Sequence, residues 1–579
     1  MSQVEAPPYR SALAVTGVVL LGYVLTLAPT VTFWDAGELI AAARTLGIPH
    51  PPGTPLFVMI AHVWGMIFPF GEYAFRTNLL SAFLSASGAG CFFLVTHESL
   101  RAWADSPPAR IGGAAAGAII GAFTFTAWQN SNETEVYAVA TFTIAAVAWL
   151  ALLWRRARGT PAAPRILLLM LYIGGLSVGN HLLALLAGPA VVVFLVTALR
   201  GTPPAGAAVR REWGEVAVVA GVWALLVGTG LGSSWIIAVG GVAFAGAAAF
   251  AASARAGGFA LGSLALAMVG VTPYLFTYIR SSQHPMINEA APATFDALLA
   301  VIRRAQYPPR TPFDDPTIVS GIGNPGRSLR LVGIQLLDYL EYFNWQWARS
   351  IEKVVGDFPL RTVVTTAFAS LALRGLAVQR RADRGAWRML LTLFLVTGIG
   401  LVVYMNFKPG FARWYDVYPS PADHEVRERD YFFVVSFLVW GLWAGVGLGD
   451  LVRRVAAARA GTLRRLAPVV LLVAAVPVAL NWRAATRRGV TDARLAADFA
   501  YDLLNSAPPY GILFTYGDND TFPLWWAQEV GGIRKDVTIV CLALANTDWY
   551  ARQLRDNPVP VFDEAAAPAI WKGQQAVRP

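Results

Sequence analysis

The sequence predicts an α-helical polytopic membrane protein of about thirteen transmembrane helices, with a small α/β module at its C-terminal end. Three observations carry that prediction. The 579-residue chain is 56% hydrophobic, has a mean hydropathy of +0.50 and is only 14% charged, whereas a soluble protein is about 25% charged. Its apolar runs have the length that a bilayer core of about 30 Å demands. Its arginines recur in alternate loops, as a positive-inside bias requires.

The expected spans fall at 11–29, 77–97, 111–128, 137–154, 166–179, 182–199, 215–231, 234–252, 259–279, 359–374, 389–406, 432–450 and 466–482. With a cytoplasmic N-terminus, the inside loops become 98–110, 155–165, 200–214, 253–258, 375–388 and 451–465, all of them carrying arginine. The opposite loops at 129–136, 180–181 and 232–233 hold no Lys or Arg. This alternation requires that 55–70 not cross. Bounded by Pro55 and Pro69 and carrying His62, that stretch reads as an interfacial helix. Residues Met1 to Arg10 lack a signal-peptide pattern, so the first apolar segment is expected to remain as a helix. Such a protein belongs in the cell's plasma (inner) membrane as a multi-pass chain.

The net charge of +10 and pI near 9.7 do not point to nucleic acid, because the basic residues sit in short loops between apolar runs. Only four of the 46 basic residues are Lys. Cys91 lies in an apolar segment and Cys541 in a strand-like run, an unpromising pair for a disulfide. The chain divides into a membrane domain, 1–482, and an extracytoplasmic module, 483–579. In the module Ile512–Tyr516 and Val537–Leu542 read as strands between helices.

Four segments on the non-cytoplasmic side are long or polar enough to build a site: 30–76, 129–137, 280–358 and 407–431. The first opens with Trp34-Asp35-Ala36-Gly37-Glu38 and continues to His50-Pro51-Pro52-Gly53-Thr54-Pro55. Asp35 followed by Glu38 is the spacing of a helix-capping pair. The competing reading is chemical, since an acid at a membrane boundary demands a reason. His50 either belongs to a structural turn or donates to a phosphate or sugar. Glu135 is either a solvated helix start or a second acid facing Asp35, holding a sugar hydroxyl or a divalent metal. His181, after Asn180, reads first as a hairpin turn. In 407–431, Lys408, Arg413, Arg427 and Arg429 are cations available to a lipid phosphate. Asp518 and Asp520 form an acidic turn that could also hold a metal or meet a sugar. No P-loop, GxGxxG, CxxC, HExxH or GxSxG pattern occurs, so no ATP, zinc or serine-nucleophile chemistry is signalled.

The opening motif, the His-Pro-Pro-Gly turn, Arg76-Thr77-Asn78-Leu79-Leu80-Ser81-Ala82 and Glu135-Val136-Tyr137 together resemble the membrane family catalogued as domain of unknown function 2723. That family includes the transmembrane-protein-260-type protein O-mannosyltransferases. Arg427-Glu428-Arg429-Asp430-Tyr431-Phe432-Phe433 and Gly517-Asp518-Asn519-Asp520-Thr521-Phe522-Pro523 resemble its bacterial members. An acid in the first outer loop ahead of a His-Pro-Pro turn is also similar to the GT-C superfamily of polyprenyl-phosphate-sugar glycosyltransferases. The resemblance implies a GT-C-like fold and a polyprenyl-phosphate-linked sugar donor. The acceptor would be a protein or glycan, Asp35 the essential acid and Glu135 the second-loop acid. The tyrosines and tryptophans at 339, 342, 345, 347, 414 and 415 would offer an aromatic surface to a sugar or peptide. A lipid-linked-sugar transporter or flippase is the alternative. It predicts ionisable residues inside the spans and inverted repeats, whereas the acids here gather at one face.

Overall fold

The computed structural model describes residues 5–103, 107–201, 207–307, 311–355, 358–457, 467–489, 493–574 and 578. Eleven of its helices are long and apolar enough to cross a bilayer. A twelfth span arises if Ala109–Ala122 and Phe125–Ser131, bent by 69° at Phe123 and Thr124, count as one. The remaining expected span, 166–179, is the 17-residue helix Ala162–Val178. Its rise of about 25 Å falls short of a full hydrocarbon core. The chain is a multi-pass membrane protein. The arginine-rich loops expected at 98–110, 200–214 and 451–465 lie partly outside the described residues.

Two glycine ladders let a pair of helices approach backbone to backbone. Gly113, Gly117 and Gly121 on one helix meet Gly449, Gly445 and Gly441 on Val434–Ala456, in antiparallel order. A Cβ on Gly117 would stand 2.8 Å from the Leu442 carbonyl oxygen, so any larger residue would force the pair apart. Small residues every fourth position let backbones touch where lipid supplies no hydrophobic drive for association.

Residues 55–67 form the expected short helix, Pro55–Ile67. Phe57, Val58 and Ala61 are buried while Val63, Met66 and Ile67 are exposed, and His62 Nδ1 bonds the Ala43 carbonyl at 2.8 Å. The helix therefore lies against the first loop. The C-terminal region contains Leu495–Ser506, a parallel two-stranded sheet of Ile512–Thr515 with Thr538–Cys541, and the helices Asp518–Glu529 and Asp548–Asp556. A parallel pair needs a crossover helix, and Asp518–Glu529 supplies it.

The aromatic surface expected along 339–347 is instead core. Tyr339, Tyr342, Trp345 and Trp347 are all buried. Tyr339 and Tyr342 pack on Phe433, Trp345 on Tyr342, and Trp347 on Phe343 and Phe368, facing the bundle rather than solvent. Trp414 gives its indole N–H to Asp338 at 2.6 Å, and Tyr415 stacks on His424.

Candidate active site

The first loop and the C-terminal module meet at the start of helix Ala36–Thr45. Trp34 holds a left-handed backbone, φ 66°, which costs a non-glycine residue about 1–2 kcal/mol. Two contacts hold it there. The Trp34 N–H donates to Asn519 Oδ1 at 2.9 Å, and Arg427 lies over its indole at 4.6 Å. Gly37 is pressed against the backbone of Phe522 and Pro523, so that a Cβ there would reach within 2.5 Å of the Phe522 carbonyl oxygen. His50 lies parallel to the Phe522 ring. The two motifs, almost five hundred residues apart in sequence, thus form one surface.

Asp35 occupies the N-cap of Ala36–Thr45, but its side chain makes no capping hydrogen bond. Arg427 pairs with it instead, Nη2 to Oδ2 at 3.2 Å, the two side chains 17% and 18% exposed. The capping pair expected of Asp35 and Glu38 is not formed, because Glu38 is fully buried and turned to His50. It accepts the His50 backbone N–H at 2.7 Å and meets ring Nδ1 at 2.6 Å. Burial opposes a charge on the ring. The Glu38 carboxylate, its hydrogen bond, and then Asp35 and Glu289 outweigh that, pushing the His50 pKa up to about 10. His50 is therefore an imidazolium at neutral pH, and its side chain stays 31% exposed.

Glu135 precedes helix Val136–Ala157, with its Oε2 buried and without a hydrogen-bond partner. Burial first, then the charges of Asp35 and Glu133, raises its pKa well above the usual carboxylate range. Asp518 is exposed at the start of its helix. Its pKa is raised by desolvation and then by Asp35.

The remaining cations form a chain leading away. The Tyr431 hydroxyl accepts from Arg427 Nε at 3.1 Å and from Arg429 Nη1 at 2.6 Å. Arg429 then pairs with Glu425 at 2.6 Å, which accepts the Lys408 backbone N–H at 3.0 Å. Lys408 Nζ donates to the Ala422 carbonyl at 2.7 Å, and Arg413 sits 3.8 Å from Glu341. Arg427 alone among these cations touches Asp35.

Two expected ligands have other employment. Asp520 accepts the backbone N–H groups of Tyr516 and Gly517, each at 2.8 Å, and so caps its helix. His181 Nδ1 accepts the Leu183 N–H at 3.2 Å, and burial ahead of Arg304 lowers its pKa to about 3, leaving the ring neutral. Among the described residues no group of three or more His, Cys, Asp or Glu side chains is placed to hold a metal ion.

Sequence reasoning missed three participants. Asn519 and Phe522 lay inside a quoted motif, but nothing local tied them to Trp34 and His50. Glu289, in the 280–358 loop, is 3% exposed, and its backbone N–H donates to the Ile48 carbonyl two residues before His50.

Residues 35–202 match the model of the protein O-mannosyl-transferase TMEM260 N-terminal domain, and residues 496–577 match TMEM260-associated domain 2. The first matched stretch holds Asp35, Glu38, His50 and Glu135, and the second holds Asp518, Asn519 and Phe522. The protein O-mannosyl-transferase TMEM260 of Mus musculus is 32% identical over 176 residues, 30% of this chain and 23% of that protein. The Dictyostelium discoideum counterpart is 25% identical over 142 residues, 24% of this chain and 16% of that protein. The matched stretch spans less than a quarter of either relative. The archaeal oligosaccharyltransferase AglB from Archaeoglobus fulgidus, solved with an inhibitory peptide and a dolichol-phosphate, is 13% identical. It aligns with TM-score 0.50 over 91% of this chain and 64% of its own. That likeness concerns the fold alone.

Proposed function

We propose that this protein is a membrane glycosyltransferase that moves a sugar, in the first instance mannose, from a polyprenyl-phosphate donor to an acceptor hydroxyl such as a protein Ser or Thr. The observation that carries the reading is the Asp35–Arg427 pair, half-buried beside the imidazolium of His50. The acceptor oxygen attacks the anomeric carbon as the bond from that carbon to the phosphate oxygen breaks, and Asp35 takes the hydroxyl proton. One positioned base suffices, because a lipid phosphate is already a good leaving group. The departing phosphate gains negative charge, which the Arg427 guanidinium and the exposed edge of His50 are placed to balance.

The TMEM260 relatives are described as protein O-mannosyl-transferases, which supports mannose and a protein acceptor. The dolichol-phosphate and peptide solved with AglB support a lipid-borne donor and a peptide partner. The arginine distribution supports a cytoplasmic N-terminus, a site on the non-cytoplasmic face and an extracytoplasmic C-terminal module in the plasma membrane.

The test is purified protein in liposomes with polyprenyl-phosphate-[³H]mannose and a Ser/Thr-rich peptide. Label on the peptide supports the reading. Movement of labelled lipid between leaflets with no transfer would replace it with the flippase alternative.

A further inference from the structure

Tyr431 holds two guanidinium groups on one phenolic oxygen, and that hydroxyl still has a hydrogen to give. Arg427 and Arg429 directly precede the single helical turn Asp430–Phe433, on which Tyr431 lies. The Tyr431 hydroxyl accepts from Arg427 Nε at 3.1 Å and from Arg429 Nη1 at 2.6 Å. Its ring is fixed as well. It packs edge-on against Tyr137 at 5.2 Å, the Arg427 guanidinium lies 4.5 Å from its centre, and the residue is buried. A hydroxyl has two lone pairs and one hydrogen. With both lone pairs facing cationic donors, the hydrogen is turned away from the two arginines. Among the described residues nothing accepts it.

Arg427 is in a similar position. Its Nε and Nη2 are engaged by Tyr431 and Asp35, while Nη1 has no partner among the described residues. Arg429, by contrast, gives Nε and Nη2 to Glu425 and Nη1 to Tyr431. A guanidinium and a phenol in contact, each with a hydrogen to spare, suit a tetrahedral oxyanion whose several oxygens can accept from both. We propose that Tyr431 is a binding residue for the phosphate of the sugar-carrying lipid: its hydroxyl donates to a phosphate oxygen alongside Arg427 Nη1. Arg429 then has a task that needs no contact with the ligand, which is to hold the phenolic oxygen so that its hydrogen faces outward. The identity of the lipid rests on the transferase reading; the use of the hydroxyl as a donor to phosphate does not.

Binding of a fluorescent polyprenyl phosphate to the full-length protein in detergent, with the matching polyprenol as control, reads the contact directly. Tyr431→Phe keeps the ring against Arg427 and should weaken polyprenyl-phosphate binding by about tenfold, leaving polyprenol binding unchanged. Tyr431→3-fluorotyrosine separates the two uses of the hydroxyl, because a more acidic phenol is a better hydrogen-bond donor and a poorer acceptor. Near pH 6, where that phenol stays protonated, this variant should bind polyprenyl phosphate at least as tightly as the wild type. Weakening like that of Tyr431→Phe would mean that the hydroxyl only braces the arginines, and would overturn the proposal. A folded Tyr431→Phe protein that binds polyprenyl phosphate as well as the wild type would do the same. A wild type that binds the lipid phosphate but transfers no sugar would end the transferase reading and leave the assignment of Tyr431 standing.

Discussion

The backbone N–H of Trp34 donates to the Asn519 side chain at 2.9 Å, tying the residue before Asp35 to the C-terminal module. The module is thus part of the wall that shapes the first loop. The closest point of that contact is Gly37. In Gly37→Ala the new Cβ would stand 2.5 Å from the Phe522 carbonyl oxygen, and backbone cannot yield as a side chain tip can. The expected cost is about 1–3 kcal/mol. It should appear as a lower thermal midpoint in detergent and faster proteolytic release of the module.

His50 makes stability pH-dependent with a defined sign. Its folded pKa, about 10, exceeds its ordinary value of 6.5. The stabilisation is therefore fully present below pH 6.5 and disappears as pH rises toward 10. Thermal melts across that interval should show the wild type losing its advantage over His50→Asn. A constant difference between the two would remove the Glu38–His50 ion pair from the account.

Some of this architecture is legible in sequence and some is not, for physical reasons. Spans and the two module strands show themselves because hydropathy and alternation are local. The Asp35–Glu38 spacing suggested a cap by the same local logic. It misled because Glu38 found a partner twelve residues on, where the His-Pro-Pro turn folds back. The aromatic positions from Tyr339 to Trp347 show polarity and size but not facing, which tertiary packing decides. Glu289 has no pattern around it, and only the bridge from Asn288 to Ile48 brings it to the site.

Glu135 carries the opposite sign to His50. Its raised folded pKa makes the ionised form unfavourable, a penalty absent at low pH that grows as pH rises above the usual carboxylate value. Glu135→Gln removes the charge at constant shape. Its thermal midpoint should equal that of the wild type in acid and exceed it at pH 8, in parallel melts of the two proteins.

Arg427 holds Asp35, the Tyr431 hydroxyl and the Trp34 ring at once. Lysine keeps the charge but lacks the planar fork and stacks poorly. Arg427→Lys should lower kcat/KM for the lipid donor by about tenfold or more, equivalent to roughly 1.4 kcal/mol or more. Arg413→Lys, next to Glu341 and without contact to Asp35, should change it little. Steady-state transfer assays at fixed acceptor concentration separate the two.

The central claim is that Asp35 takes the acceptor's proton. Transfer from polyprenyl-phosphate-[³H]mannose by Asp35→Asn, in protein shown to be folded by its melting profile, tests it most directly. The account predicts a fall in kcat of about 10²–10⁴-fold with donor binding retained, and turnover at the wild-type rate would contradict it.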